Sequence, residues 1–319
     1  MEVGPKGLVQ SFADILKLLQ KEEIIATNNH KSIFLVAPFV IFVSCFAGFA
    51  VIPLGPDLIG TEINTGVYYL LAILALDILG FVFAAWGSNN KFAMIGGMRT
   101  VAQMFSYEVP FSLVVLAMVM FNQTMNLSDM TSMQVLSDEP ILLFGWDVSR
   151  IGGFLSWNIL VYPLSIIGFV IFVITALAES NRAPFDLTEA ESEIIAGILT
   201  EYGGFRFSVI ALAEYAMLFL MGLLGAVLFF GGYGTPLPNI GSVKLAEWTS
   251  GVSGEISGYV WGYFWLMSKA IIWVCIAMWF RWTYPRVRID QLMHTGWKVL
   301  TPAALIFVLI TGVYKLLMI

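Results

Sequence analysis

Charge is the first thing this sequence has too little of. Of its 319 residues 12% are charged and 59% apolar, against about 25% and about 45 to 50% in an ordinary soluble domain. So few charges cannot solvate a surface of this size, which excludes most soluble enzymes and leaves lipid as the neighbour of much of the exterior. Cysteine is nearly absent: Cys45 and Cys275 both sit inside apolar runs. Neither a disulfide framework nor an iron–sulfur or zinc site can be built from them, so any redox metal belongs to a partner. There is no Walker loop, no H-E-x-x-H and no G-x-S-x-G, and His30 and His294 have no nearby ligand set. Gly96-Gly97 is a lone glycine pair and a weak signal for phosphate. Basic patches that would suit nucleic acid are missing, and the net charge is −6. The chain has no alternating segments of the outer-membrane-barrel kind, and no duplicated half of the kind inverted-repeat transporters carry.

What the chain does have is apolar length. A hydrocarbon core of about 30 Å is crossed by about 20 helical residues, and seven runs qualify: Ile33 to Ile52, Val67 to Trp86, Val109 to Phe121, Trp157 to Ala178, Ser208 to Gly231, Tyr259 to Phe280 and Val299 to Met318. The third is short and is expected to begin near Met104, drawing Glu108 to the membrane or its rim. Before the first run, Leu8, Phe12, Ile15, Leu16 and Leu19 form one helical stripe, with Gln10, Asp14, Lys17 and Lys21 opposite. These polar residues interrupt any signal-peptide core and describe an amphipathic helix lying in the interface. It is either a surface anchor or a wall of a pocket open to lipid and to a partner. The expected fold is an all-α polytopic membrane protein: one membrane domain over 1–319, with an interfacial helix at 4–23, seven transmembrane helices within 33–318, and an acidic cytoplasmic loop at 179–207.

Orientation follows from the basic residues. Lys6, Lys17, Lys21, Lys31, Lys91, Arg99, Arg182, Arg206, Arg281, Arg286, Arg288 and Lys298 fall on one side, Arg150, Lys244 and Lys315 on the other, and Lys269 within a span. Positive-inside asymmetry places the N-terminus and the acidic loop in the cytoplasm.

Four carboxylates are embedded or nearly so: Asp77, Glu108, Glu179 and Glu214. An ionised acid at mid-membrane costs about 2.5 to 3.5 kcal/mol, so a chain that keeps several must pair them, hydrate them or hold them protonated. Snorkelling to an interface suits Glu108 and Glu179 as well as a functional role does; it suits Asp77 and Glu214 poorly. The densest acidic stretch, AESNRAPFDLTEAESEIIAGILTE, holds Glu179, Asp186, Glu189, Glu191, Glu193 and Glu201. Asp186 and Glu189 have the spacing of a capping box, and Glu189 and Glu193 share a helical face. These acids are a solvated charge run, a docking surface for basic groups on a partner, or the lining of a hydrated funnel.

Four blocks make the sequence recognisable: VGPKGLVQSFADILKLLQKE (3–22), SNNKFAMIGGMRTVAQMFSYEVP (88–110), AESNRAPFDLTEAESEIIAGILTEYGG (178–204) with AEY (213–215), and RWTYPRVRIDQLMHTGWK (281–298). In this order they resemble the signature blocks of the H subunit of bacterial complex I, whose mitochondrial equivalent is numbered 1. The resemblance implies a membrane subunit that docks the peripheral arm of the proton-pumping NADH:quinone oxidoreductase and encloses the quinone chamber. Quinone is then the substrate, and the iron–sulfur clusters and FMN sit in partner subunits. Expected partners are the peripheral-arm iron–sulfur and quinone-site subunits, the small membrane subunits, the antiporter-like subunits and the lipid bilayer, with no nucleic acid. By the same resemblance Gln10, Asp14, Lys17, Arg99, Arg182, Phe185 and Asp186 match chamber or docking positions. Lys269, Arg281, Arg286, Arg288 and Asp290 match the motif before the last span. Asp77, Glu108, Glu179, Glu189, Glu191, Glu193, Glu201 and Glu214 match the acidic path that links quinone chemistry to the antiporter-like subunits. The expected location is the bacterial cytoplasmic (inner) membrane. The family opens with one further helix and a basic stretch before the VGP block, where this chain has Met1 and Glu2.

Two other readings stay open from the residues alone. The chain could be the equivalent subunit of a related complex linked to ferredoxin, F420 or a hydrogenase, or, in a different class, a stand-alone proton or ion transporter. A purely structural anchor would explain the loops but not Asp77 and Glu214.

Overall fold

The computed structural model describes residues 3–7, 9–135, 142–143, 146–147, 151–187, 191–239, 244–250 and 255–318. In chain order the helices are α1 (Gln10–Gln20), α2 (Lys31–Gly48), α3 (Gly66–Gly87), α4 (Lys91–Asn122), α5 (Leu127–Ser132), α6 (Asn158–Val161), α7 (Ser165–Glu179), α8 (Glu191–Ile194), α9 (Gly204–Phe229), α10 (Leu245–Ser250), α11 (Ile256–Thr283), α12 (Ile289–His294) and α13 (Thr301–Met318). A two-residue ribbon, β1 (Leu142–Leu143) with β2 (Trp146–Asp147), pairs antiparallel between α5 and α6. The architecture is the all-helical membrane type. Among the described residues six helical stretches are long and apolar enough to cross a bilayer, and α7 is a shorter apolar helix.

Three spans differ from their sequence reading. The third begins at Lys91, well before Met104. Asn90 caps it by accepting the Phe92 N–H at 2.9 Å, and the helix runs through Arg99, Gln103 and Glu108, which break the apolar run that length counting follows. The fourth is not continuous. It breaks between α6 and α7, where Tyr162 is extended (φ −116°, ψ 90°), because Pro163 disfavours helix in the residue before it and has no N–H to give. The seventh is longer than Val299 to Met318: α12, a π turn at Thr295–Leu300 and α13 run on as one apolar stretch, Ile289–Leu317.

Packing divides the interior in two. A large apolar cluster gathers Phe111 of α4, Phe172 of α7, Met221 and Phe229 of α9, and Leu266 and Trp273 of α11. A smaller one joins Phe34 and Ile41 of α2, Phe81 of α3, Met104 of α4, and Ile198 and Ile210 around the start of α9. The Gly96-Gly97 pair belongs to this packing rather than to a phosphate. A Cβ on Gly96 would lie 2.9 Å from Gly197 Cα, and one on Gly97 would collide with Ala85. Small residues let α4 sit close on α3 and on the turn at Gly197–Thr200, as close helix contact in membranes requires.

Candidate functional site

Three acids from three helices meet where the two apolar clusters adjoin. Asp77 on α3, Glu179 at the end of α7 and Glu214 on α9 are only 4%, 2% and 7% exposed. All three line one cavity of about 10 Å³ with Ile41, Phe81, Ser180, Asn181, Ala213 and Met217, room for about one water. Each acid has a different surrounding. Ser44 Oγ of α2 stands 3.1 Å from Asp77 Oδ1 and 2.8 Å from the Ile41 carbonyl. The Ser44 hydroxyl therefore donates to both the Asp77 carboxyl and the carbonyl of its own helix. Glu214 pairs with Arg182 at 3.5 Å, and the Arg182 guanidinium lies over the Tyr215 ring, 4.0 Å from its centroid, a cation–π arrangement. Glu179 Oε2 has no hydrogen-bond partner. Glu108 is half-buried on α4.

The turn that presents Glu179 and Arg182 is held from α4. Gln103 Nε2 donates to the Ala178 carbonyl at 2.8 Å and to Asn181 Oδ1 at 3.2 Å, and Asn181 takes a left-handed conformation (φ +49°), which asparagine tolerates better than most residues. Phe185 then turns inward against Tyr107, ring centroids 5.4 Å apart.

The remaining acids named from the sequence spread outward along the loop face. Glu201 accepts from Asn90 Nδ2 at 2.8 Å, and Glu193 pairs with Arg99. Glu189 lies outside the described residues, as does the side chain of Glu191. Leu187 is not helical, the Glu189 half of the capping-box spacing lies outside the described residues, and Asp186 pairs with Arg286 at 2.9 Å. That pair ties the acidic loop to the segment before the last span, which the spacing within the loop alone could not reveal. Gln10 Nε2 donates to Asp14 Oδ1 at 3.1 Å on α1. Lys17, Arg281 and Arg288 stand on the exposed surface.

A second, larger cavity of about 530 Å³ opens between α1, α2 and α9. Ile15 and Leu19 of α1, Leu35, Pro38, Phe39 and Phe42 of α2, and Phe205, Val209 and Leu212 around α9 make its wall almost wholly apolar. Its polar rim is the pair Arg206 with Glu23, at 2.9 Å. The oily stripe of α1 is exposed at Phe12, Ile15, Leu16 and Leu19, as an interfacial helix requires. Among the described residues no His, Cys, Asp and Glu gather as a metal site would need.

Sequence reasoning finds the acids but not their holders. Ser44, Asn90, Gln103 and Tyr215 carry no signal beyond being polar or aromatic. Gln103 is the one legible hint, an amide inside what proves to be a spanning helix.

Comparison with known proteins adds a direct finding. The model of the NADH dehydrogenase family matches residues 1–312. An H subunit of NADH-quinone oxidoreductase from Cytophaga hutchinsonii, the one numbered 2 in that organism, is 49% identical over 324 residues, covering 98% of this chain and 89% of that protein. The H subunit of Chlorobaculum parvum is 44% identical over 314 residues, 98% of this chain and 82% of that protein. The H subunit of a Polaromonas species is 38% identical over 312 residues, 98% and 80%.

Proposed function

The chain belongs to the NADH dehydrogenase family, among the H subunits of NADH-quinone oxidoreductase, and from that premise we propose that it walls the quinone chamber and couples quinone reduction to proton translocation through its buried carboxylates. A long-tailed quinone needs an apolar passage reachable from lipid, and the cavity between α1, α2 and α9 has the lining and the volume for one. Electrons arrive from iron–sulfur clusters, and upstream from FMN, in the docked arm. Gln10, Asp14, Lys17, Arg99, Arg182, Phe185, Asp186, Arg281, Arg286 and Arg288, carried by α1, α4, the loop at 179–207 and the segment before the last span, serve the chamber or its docking face, Arg182 and Phe185 from the inner side.

Reducing the quinone consumes two electrons and two protons at a buried site, so charge must be compensated nearby. Asp77, Glu179 and Glu214 share a cavity too dry for three independent anions, since like charges in close quarters disfavour joint ionisation. A proton gained or lost by one changes the proton affinity of the others. Arg182, paired with Glu214, ties a positive charge to that balance. Glu108 extends the group across α4, and Glu201, Glu193, Glu189 and Glu191 extend it toward the loop. From there the path leads to small and antiporter-like membrane subunits. The chain sits in the bacterial cytoplasmic membrane, with N-terminus and acidic loop cytoplasmic, an orientation that rests on the distribution of its basic residues.

The convergence of three acids from separate helices on one cavity carries this reading. Glu214→Gln tests it. The complex should assemble and pump fewer protons per electron in proteoliposomes; pumping and quinone reductase rates both at wild-type level would remove Glu214 from the mechanism.

A further inference from the structure

The C-terminal end of α9 faces another charge, partly buried, for which the quinone reading has no use. Lys269, on α11, turns its ammonium toward the segment FFGGYG (229–234) that leaves α9. Nζ lies 2.7 Å from each of three backbone carbonyls, those of Phe230, Gly232 and Gly234, and 4.7 Å from the centroid of the Trp157 ring. Three acceptors at that distance need three N–H donors, which the ammonium has and a neutral amine lacks. The surroundings are negative by construction: the last carbonyls of α9 carry the helix's C-terminal partial charge, and the ring adds the negative face of its quadrupole.

The backbone is shaped for this convergence. Gly231 and Gly232 have φ of +69° and +47°, and a Cβ would stand 2.7 Å from the Trp157 indole at the first and 2.5 Å from Thr131 at the second. With that curvature carbonyls two residues apart point to one centre. Gln134 pins the turn from behind: its Oε1 accepts the N–H of Gly231 at 3.0 Å and of Asn158 at 3.1 Å, and its Nε2 donates to the Val227 carbonyl at 2.9 Å.

We propose that the turn at 230–234 is a monovalent-cation site that Lys269 fills with its own ammonium. Lys269 is then a positioning residue, a tethered counter-cation that fixes α11 and the Trp157 segment to the end of α9. Carbonyl rings of this kind replace the hydration shell of small cations such as ammonium or potassium. Emptied of its occupant, the cage leaves three carbonyls without donors in apolar surroundings.

The test uses the intact detergent-solubilised complex and its midpoint of thermal disassembly. Lys269→Ala should lower the midpoint, and ammonium chloride should recover much of the loss where choline chloride at equal ionic strength recovers none. Lys269→Met, whose chain still fills the cage without charge, should be lowered and gain nothing from ammonium. Equal responses to ammonium and choline, or a Lys269→Met complex as heat-stable as wild type, would overturn the proposal. Should Lys269→Ala fail to assemble, Lys269→Gln offers two donors and no charge. A Gln variant as stable as wild type overturns the proposal; a less stable or unassembled one, beside an assembled Lys269→Arg, supports it.

Discussion

Arg182 and Glu214 stand 3.5 Å apart with side chains only 14% and 8% exposed, so neither is comfortable without the other. Removing one partner of a buried ion pair costs about 3 to 5 kcal/mol, because the charge left behind is uncompensated, whereas replacing both can be close to neutral. Arg182→Leu should therefore destabilise the complex more than the double variant Arg182→Leu with Glu214→Leu, a comparison that thermal unfolding of the solubilised complex resolves; strictly additive losses would contradict the pairing. Ser44→Ala makes a gentler probe. It removes a hydrogen bond worth about 1 kcal/mol net and leaves Asp77 without its nearest hydroxyl, so the proton yield per electron should fall while quinone reductase activity persists; an unchanged yield would detach Ser44 from the acid. At this scale the sequence is half legible. An acid in an apolar run stands out because burying it costs several kcal/mol. A serine there does not, because a bond to its own helix satisfies it cheaply, and Ser44 is 33 residues from the aspartate it serves.

Helices are where length and composition speak loudest and where their limits show. The apolar runs mark the six long apolar stretches among the described residues and the shorter α7, since hydrophobicity sustained over a bilayer's thickness has hardly anywhere to go but into lipid. Run length misplaces the ends wherever polar residues face the interior. α4 carries Arg99, Gln103 and Glu108 and packs closely on α3, and only the Asn90 cap marks its start. Pro163 in VYPLS is a legible break that apolar length outweighs. The closeness of α4 and α3 yields a prediction of its own. Gly97→Ala should destabilise the complex by about 1 to 3 kcal/mol, the usual effect of overpacking, because the new methyl meets Ala85. Adding Ala85→Gly should restore most of the heat stability; a double variant no better than the single would mean that another contact sets the spacing.

Over the whole molecule, two apolar clusters leave a seam, and the acids of α3, α7 and α9 lie in it. Positions 77, 179 and 214 are far apart in the chain, so no local pattern announces that they converge; only the packing of α2, α3, α7 and α9 brings them to one cavity. The same stacking sets the groove beside α1, where a lipid-soluble carrier would lie, on the adjoining side of α2 and α9. Apolar run lengths can foretell the number of spans, but the shared cavity is a property of their packing. On this reading, reduction of the carrier changes the proton occupancy of these three acids. Infrared difference spectroscopy on the intact complex, recorded as quinone is converted to quinol, reads this directly in the carbonyl stretch of protonated carboxyl groups. The account expects a signal in that region that is altered in Asp77→Asn and in Glu214→Gln. A wild-type spectrum without a carboxyl change, or one that both variants leave untouched, would contradict it.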